Sequence, residues 1–136
     1  MSEILVTVSF GELLDKISIL RIKSERITDA GKRANVRREL EALERTWAAN
    51  PASAVDVAAL EQGLKAVNER LWDIEDAIRV KESRQEFDDA FVQLARSVYF
   101  ENDERARLKR ELNAALGSAY VEEKSYQDYR GGNAPA

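Results

Sequence analysis

The residues of this chain best suited to chemistry are cations, amides and carboxylates set one or two helical turns apart. Lys16 and Lys23 stand seven residues apart beside an apolar stripe, and Glu61, Asn68, Glu75 and Glu82 repeat at the same interval. Lys109 and Asn113 lie one turn apart, in line with Asn102 and Arg105. Charged residues flanking a seven-residue apolar repeat usually form interhelical ion pairs that fix register. The functional alternative is a polar cleft in which Lys16, Lys23 and Arg79 hold an anion while Glu75 orients it. Asn68 and Glu75 are the first to test, because an amide and an acid at a core margin cost stability unless partnered. The segment Glu122–Tyr126 (EEKSY) can fold over the Lys109–Asn113 line with Tyr126 as a buried lid, the alternative being a plain surface helix with a frayed tail. The ligand-binding candidates are therefore Lys16, Lys23, Asn68, Glu75, Arg79, Lys109, Asn113 and Tyr126. No residue is assigned a catalytic or metal-binding role.

What is missing narrows the chemistry further. The 136 residues include no Cys and no His. Thiolate nucleophiles, imidazole bases, disulfides and zinc sites of the Cys/His kind are excluded. A metal site would have to use oxygen ligands and hold Mg²⁺, Mn²⁺ or Ca²⁺. Glu75 and Asp76 are adjacent and so diverge on a helix, which leaves convergence with Glu12, Glu122 or Glu123 as the only route to one. No cofactor is expected.

Net charge is −4, unevenly spread. Residues 16–38 carry eight basic side chains against two acids, a net of +6, which leaves −10 for the remainder. Such asymmetry points to an anion-facing patch or to neutralisation by neighbouring acidic helices, and in a bundle the second is the expectation. The basic stretch lacks interleaved aromatics for base stacking, which disfavours nucleic acid. No apolar run approaches the roughly 18 residues that would span a bilayer, and no signal peptide opens the chain. A cytoplasmic address is the default.

Positioning these residues falls to helices. Ser9 and Glu12 form a capping box. Phe10, Leu13, Ile17, Leu20 and Ile27 follow on one stripe, while Leu14, Ile19 and Ile22 point elsewhere. A helix apolar on more than one side is usually buried, so residues 10–28 should form a central helix with neighbours on two faces. Ile4–Val8 reads as a strand or extended lead-in. Asp29 can cap a second helix that runs to Ala49 and is stopped by Asn50-Pro51. Ser53 can cap a third, whose Val57, Leu60, Leu64, Val67, Leu71, Ile74 and Ile78 alternate steps of three and four. Ser83 and Glu86 resemble a second capping box, starting a fourth helix on Phe87, Phe91, Leu94 and Val98; a kink is expected near Asn102, and Gly117 ends the helix.

At 1.5 Å per residue, helix one spans roughly 28 Å and helix three roughly 45 Å. The overhang calls for the N-terminal segment, the tail or a second chain to cover it. The fold class expected is all-α, an antiparallel bundle of four to five helices with a short N-terminal extended segment. Residues 1–129 are expected to make one domain and residues 130–136 a disordered tail.

The blocks VSFGELLDKISIL, IKSERI, NVRRELEAL, NERLWDIEDAIR, FVQLARSVYFENDERARLKRELN and EEKSY together resemble a small bacterial family catalogued as a domain of unknown function. That resemblance covers most of residues 3–129. It implies a setting near enzymes of surface-polysaccharide assembly and gives no residue a role. LLDKISILRIKSERI is also similar to the opening helix of the all-helical chorismate mutases, which implies spaced Arg and Lys holding a dicarboxylate. Helix lengths and a missing second set of motif residues depart from that family.

The leading function is a non-catalytic binding or accessory module that recognises a partner protein, a second copy of itself or an anionic metabolite. The enzyme alternative is a small helical lyase or isomerase working by electrostatic preorganisation.

Overall fold

The computed structural model describes residues 2–130. The tail expected to be disordered, residues 130–136, lies outside the described residues from 131 onward. The described chain is all-helical: α1 (Phe10–Arg26), α2 (Ala30–Ala49), a 3₁₀ turn (Pro51–Ala54), α3 (Ala58–Ser83) and α4 (Asp89–Leu116). Among the described residues there is no strand. Ile4–Val8 forms neither helix nor strand, with Ile4, Leu5 and Val6 open to solvent.

Local chemistry sets the helix ends. The Ser9 hydroxyl accepts from the Glu12 N–H at 3.1 Å and starts α1. The Asp29 carboxylate accepts from the Lys32 N–H at 2.9 Å and starts α2. Gly117, at φ 69°, ends α4 in the left-handed conformation that glycine tolerates best. The capping signals at Ser53 and Ser83 are corrected. Ser53 belongs to the 3₁₀ turn, and α3 begins five residues later, where Asp56 accepts from the Ala58 N–H at 3.1 Å. Ser83 is the last residue of α3, its hydroxyl turned back onto the Val80 carbonyl at 2.7 Å. Asp88 is the working cap of α4, accepting from the Phe91 N–H at 3.0 Å. Nor is α4 broken near Asn102: it is one helix of 28 residues, and the polar run at 101–105 finds side-chain partners in Arg70, Asp15, Lys124 and Arg107.

As expected, α1 is the central helix. It packs against α2, α3 and α4, and α3 and α4 pack along each other. Leu14 and Ile17 of α1 meet Leu64 and Val67 of α3 and Leu108, Leu112 and Leu116 of α4 in one core. Ile22 is 1% exposed. α2 is a flanking helix with no buried residue, laid against α1 through Leu40, Leu43 and Trp47. Phe10 and Trp47 meet edge to face at 5.9 Å.

The overhang is real and covered on one part only. After Gly117 the chain turns back along α4 as an extended strap, residues 119–130. Its Tyr129 packs on Tyr99 and Phe100 at ring distances of 5.0 and 5.1 Å. Val80, Phe87 and Val92, at the tip of the α3–α4 hairpin, remain exposed.

Candidate functional site

Where α1, α3 and α4 meet, the core stops being apolar. Asp15 is 1% exposed, yet it is a carboxylate. It sits on the buried arc of α1 between Leu14 and Ile17, and three groups converge on it. Arg105 of α4 reaches it with two parallel N–H groups, Nε to Oδ1 at 2.9 Å and Nη2 to Oδ2. Asn68 of α3 donates to Asp15 Oδ1 at 2.9 Å and to the Ser18 hydroxyl at 2.8 Å. Ser18 in turn donates to the Asp15 carbonyl at 2.7 Å. The bond to Asp15 pushes the Arg105 guanidinium above its already high ordinary value.

One turn along α4, Lys109 is buried between two carboxylates, Glu12 of α1 at 2.7 Å and Glu122 of the strap at 3.2 Å. Burial pulls its pKa down, but the two carboxylates outweigh burial and hold the ammonium above the usual lysine value. One further turn on, Asn113 accepts from the Gly11 N–H at 2.7 Å, satisfying a first-turn donor of α1 from a helix 102 positions away. That bond fixes which end of the amide is oxygen. Asn113 Nδ2 is buried and has no partner among the described residues. Gly11 permits the approach: a Cβ there would lie 2.6 Å from the Lys109 carbonyl oxygen.

Two clefts open beside this cluster, and Asn102 and Arg105 line both. The first, about 320 Å³, has walls of Ile19, Ile22, Leu71, Trp72 and Val98, with Asn68 and Glu75 at its polar end. The second, about 280 Å³, lies under the strap, where Lys109 and Ala106 meet Glu122, Lys124 and Tyr126. Lys124 pins the strap by donating to the Asn102 carbonyl at 3.3 Å and to Asp103 at 3.2 Å.

The structure thus brings together Asn68, Lys109 and Asn113 from the sequence candidates, all buried. Glu75 reaches the rim of the first cleft, and Tyr126 that of the second. Tyr126 is no buried lid: it is 83% exposed, its ring at the edge of the second cleft beside the Lys124 ammonium, 5.6 Å away. Arg79 stays on the outer surface of α3, paired with Glu75 at 2.8 Å. Lys16 is exposed and Lys23 half-buried, and among the described residues neither joins the cluster or makes an ion pair. The neutralisation expected of the basic stretch is partial. Arg21 pairs with Glu44 and Arg26 with Glu69 and Asp73, but Lys32, Arg33, Arg37 and Arg38 find no acid among the described residues, α1 being the main helix packed against α2.

Sequence reasoning missed Asp15 and Ser18. The signal was present: a carboxylate within the apolar arc of a helix buried on several sides must find a partner. Among the described residues no group of three or more acids is arranged to hold a metal ion, and no helix is long and apolar enough to cross a membrane.

Fold and site together define a helical bundle with a buried polar cluster opening onto paired clefts. The chain belongs to the family of unknown function DUF6165, which it matches over residues 4–136. No curated protein and no solved structure matches it. A likeness to chorismate mutases is not among what these comparisons show.

Proposed function

We propose that the chain is a non-catalytic binding module for a small organic anion, seated in the cleft between α1, α3 and α4. The observation that carries this reading is Arg105. It is held in two-pronged contact with a fully buried carboxylate, yet its side chain keeps 29% of its exposure and lines both clefts. A guanidinium fixed this way loses little further freedom when its remaining N–H groups meet a ligand oxygen. The apolar walls, with Trp72 among them, suit a ring or hydrocarbon face, and a volume near 300 Å³ is in the range of small-ligand pockets.

Energetics support a role beyond stability. Replacing a buried ion pair by apolar side chains of similar volume is often neutral or stabilising by about 1–4 kcal/mol, so a bundle of this size has cheaper ways to fill its centre. A setting in surface-polysaccharide metabolism accords with a ligand that presents both a ring face and an anionic group. The lyase or isomerase alternative is less well supported, because the buried cations already face carboxylates and no imidazole or thiol is at hand.

Binding can be read from Trp72 in a Trp47→Phe variant, which leaves one indole in the protein and places it in the cleft. Titration with nucleotide sugars, aromatic carboxylates and phosphates should change Trp72 emission for one class and raise Tm by several degrees at saturation. No response to any of them would discard the reading.

A second reading, recognition of a partner protein or a second copy, is favoured by Val80, Phe87 and Val92, exposed together at the hairpin tip. Mass in solution tests self-association: a monomer at all concentrations removes the second copy.

A further inference from the structure

The strap puts a carboxylate where a ligand's would go. Residues 119–130 have no helix or strand, and they are anchored to α4 by the ion pairs of Glu122, Lys124 and Arg130 and by the Tyr129 ring. Glu122 is the only carboxylate of this strap seated on the buried cluster. It lies 3.2 Å from Lys109, and it is the half-buried member of an otherwise exposed segment. Its charge also acts on Arg105 through space. Without it, the cluster of Glu12, Asp15, Arg105 and Lys109 is neutral, and the buried Lys109 ammonium loses one of its two carboxylates. The second cleft has its floor on α4 (Asn102, Arg105, Lys109) and its roof on the strap (Glu122, Lys124, Tyr126). Lifting the roof therefore exposes a lysine and an arginine one turn apart, with the orphaned Asn113 amide one turn beyond Lys109.

We infer that Lys109 and Arg105 form a carboxylate site, and that Glu122 is its internal occupant, displaced when the carboxylate of an external ligand binds. This rests on the small-anion reading and gives its ligand a class: carboxylates are preferred to phosphates, because the site replaces one singly charged carboxylate by another. It also gives the strap a function. Binding would require the Glu122–Lys109 contact to break, so the apparent affinity of the intact chain is lowered by the fraction of time the strap stays closed. A strap closed nine-tenths of the time weakens binding about tenfold.

Glu122→Gln keeps the size of the side chain, removes its charge and alters no residue within a helix. The test compares full-length Trp47→Phe protein with and without Glu122→Gln, titrated with benzoate, succinate and inorganic phosphate. Titration calorimetry reports affinity, since Trp72 lines the first cleft and not the second, and proteolysis within residues 119–130 reports strap release. The expected result is benzoate or succinate binding about tenfold tighter to Glu122→Gln, together with faster cleavage of the unsubstituted strap when the carboxylate is present. Equal affinities in the two proteins, or phosphate binding in preference to both carboxylates, overturn this inference and leave the small-anion reading standing. Binding of none of the three to either protein, while another anion class still shifts Trp72, has the same consequence. Silence from every anion class in both proteins overturns the two together.

Discussion

At the scale of single residues, the site depends on how closely α1 and α3 approach α4, and two glycines show opposite sides of that packing. Gly11 has backbone in the path of a side chain: a Cβ would meet the Lys109 carbonyl oxygen at 2.6 Å and the Lys109 Cα at 3.1 Å. Neither atom can rotate away. Gly11→Ala should therefore destabilise by about 1–3 kcal/mol, the usual range for overpacking, and weaken the bond to Asn113, although alanine is the better helix former. Gly63 is a helix-interior glycine whose Cβ would sit 3.5 Å from the Leu108 methyls, an ordinary contact. Gly63→Ala should stabilise by about 0.5–1 kcal/mol. Urea midpoints of the two variants, at equal m-values, check both signs. Asp15 belongs to the same scale. Removing it alone would strand Arg105 and Asn68 in a buried site, at a cost of about 3–5 kcal/mol.

Among the elements, α1 and α2 differ most. α1 is enclosed by three helices and contributes Leu14, Ile17, Leu20 and Ile22 as buried apolar side chains. α2 is a longer helix with no buried residue and four cations near its start that find no acid among the described residues. Length alone does not stabilise a helix in water; apolar contact does. Amide hydrogen exchange should therefore reach α2 well before α1, the central amides of α1 opening only with global unfolding. Equal protection in the two helices would show that α2 draws stability from contacts beyond α1.

The whole molecule has an outer layer held by charge and an inner layer held by apolar burial. Asp103, where Lys124 and Arg130 meet, makes the outer layer sensitive to acid. Burial works against its charged form, but the Tyr129 hydroxyl, Lys124 and Arg130 outweigh burial and hold its carboxyl below the usual range. A carboxyl depressed by the closed strap favours closure above its ordinary value near 4, and that preference is lost as pH falls through the lower closed-state value. Lys109 limits the other side. Its raised pKa gives a contribution fully present below the ordinary lysine value near 10.4, which fades as pH climbs through the higher folded value. Neutral pH lies inside both limits. Nuclear Overhauser contacts between Tyr129 and the Tyr99 and Phe100 rings should be strong at pH 7 and fade below about pH 4, while contacts between Ile17 and Leu112 persist.

Periodicity and capping already determined much of this protein. Apolar spacing called for four to five helices with a central first one, because burial of a helix face depends on residues three and four apart, which the chain order alone supplies. The absence of Cys and His likewise limited the chemistry before any fold was known. Asn68 was legible as a candidate because a polar group at a core margin demands a partner, and Lys109 and Asn113 because they stand one turn apart on one helix. Which partners they take was settled only in three dimensions. Asp15 is bound by residues 53 and 90 positions away, and Gly11 by one 102 positions away. Short-range pattern cannot encode such pairs, since they depend on how far each helix slides along its neighbour. The same sliding decided that Arg79 stays on the surface, that Tyr126 stands exposed at the edge of the second cleft and that Glu122 reaches the buried lysine.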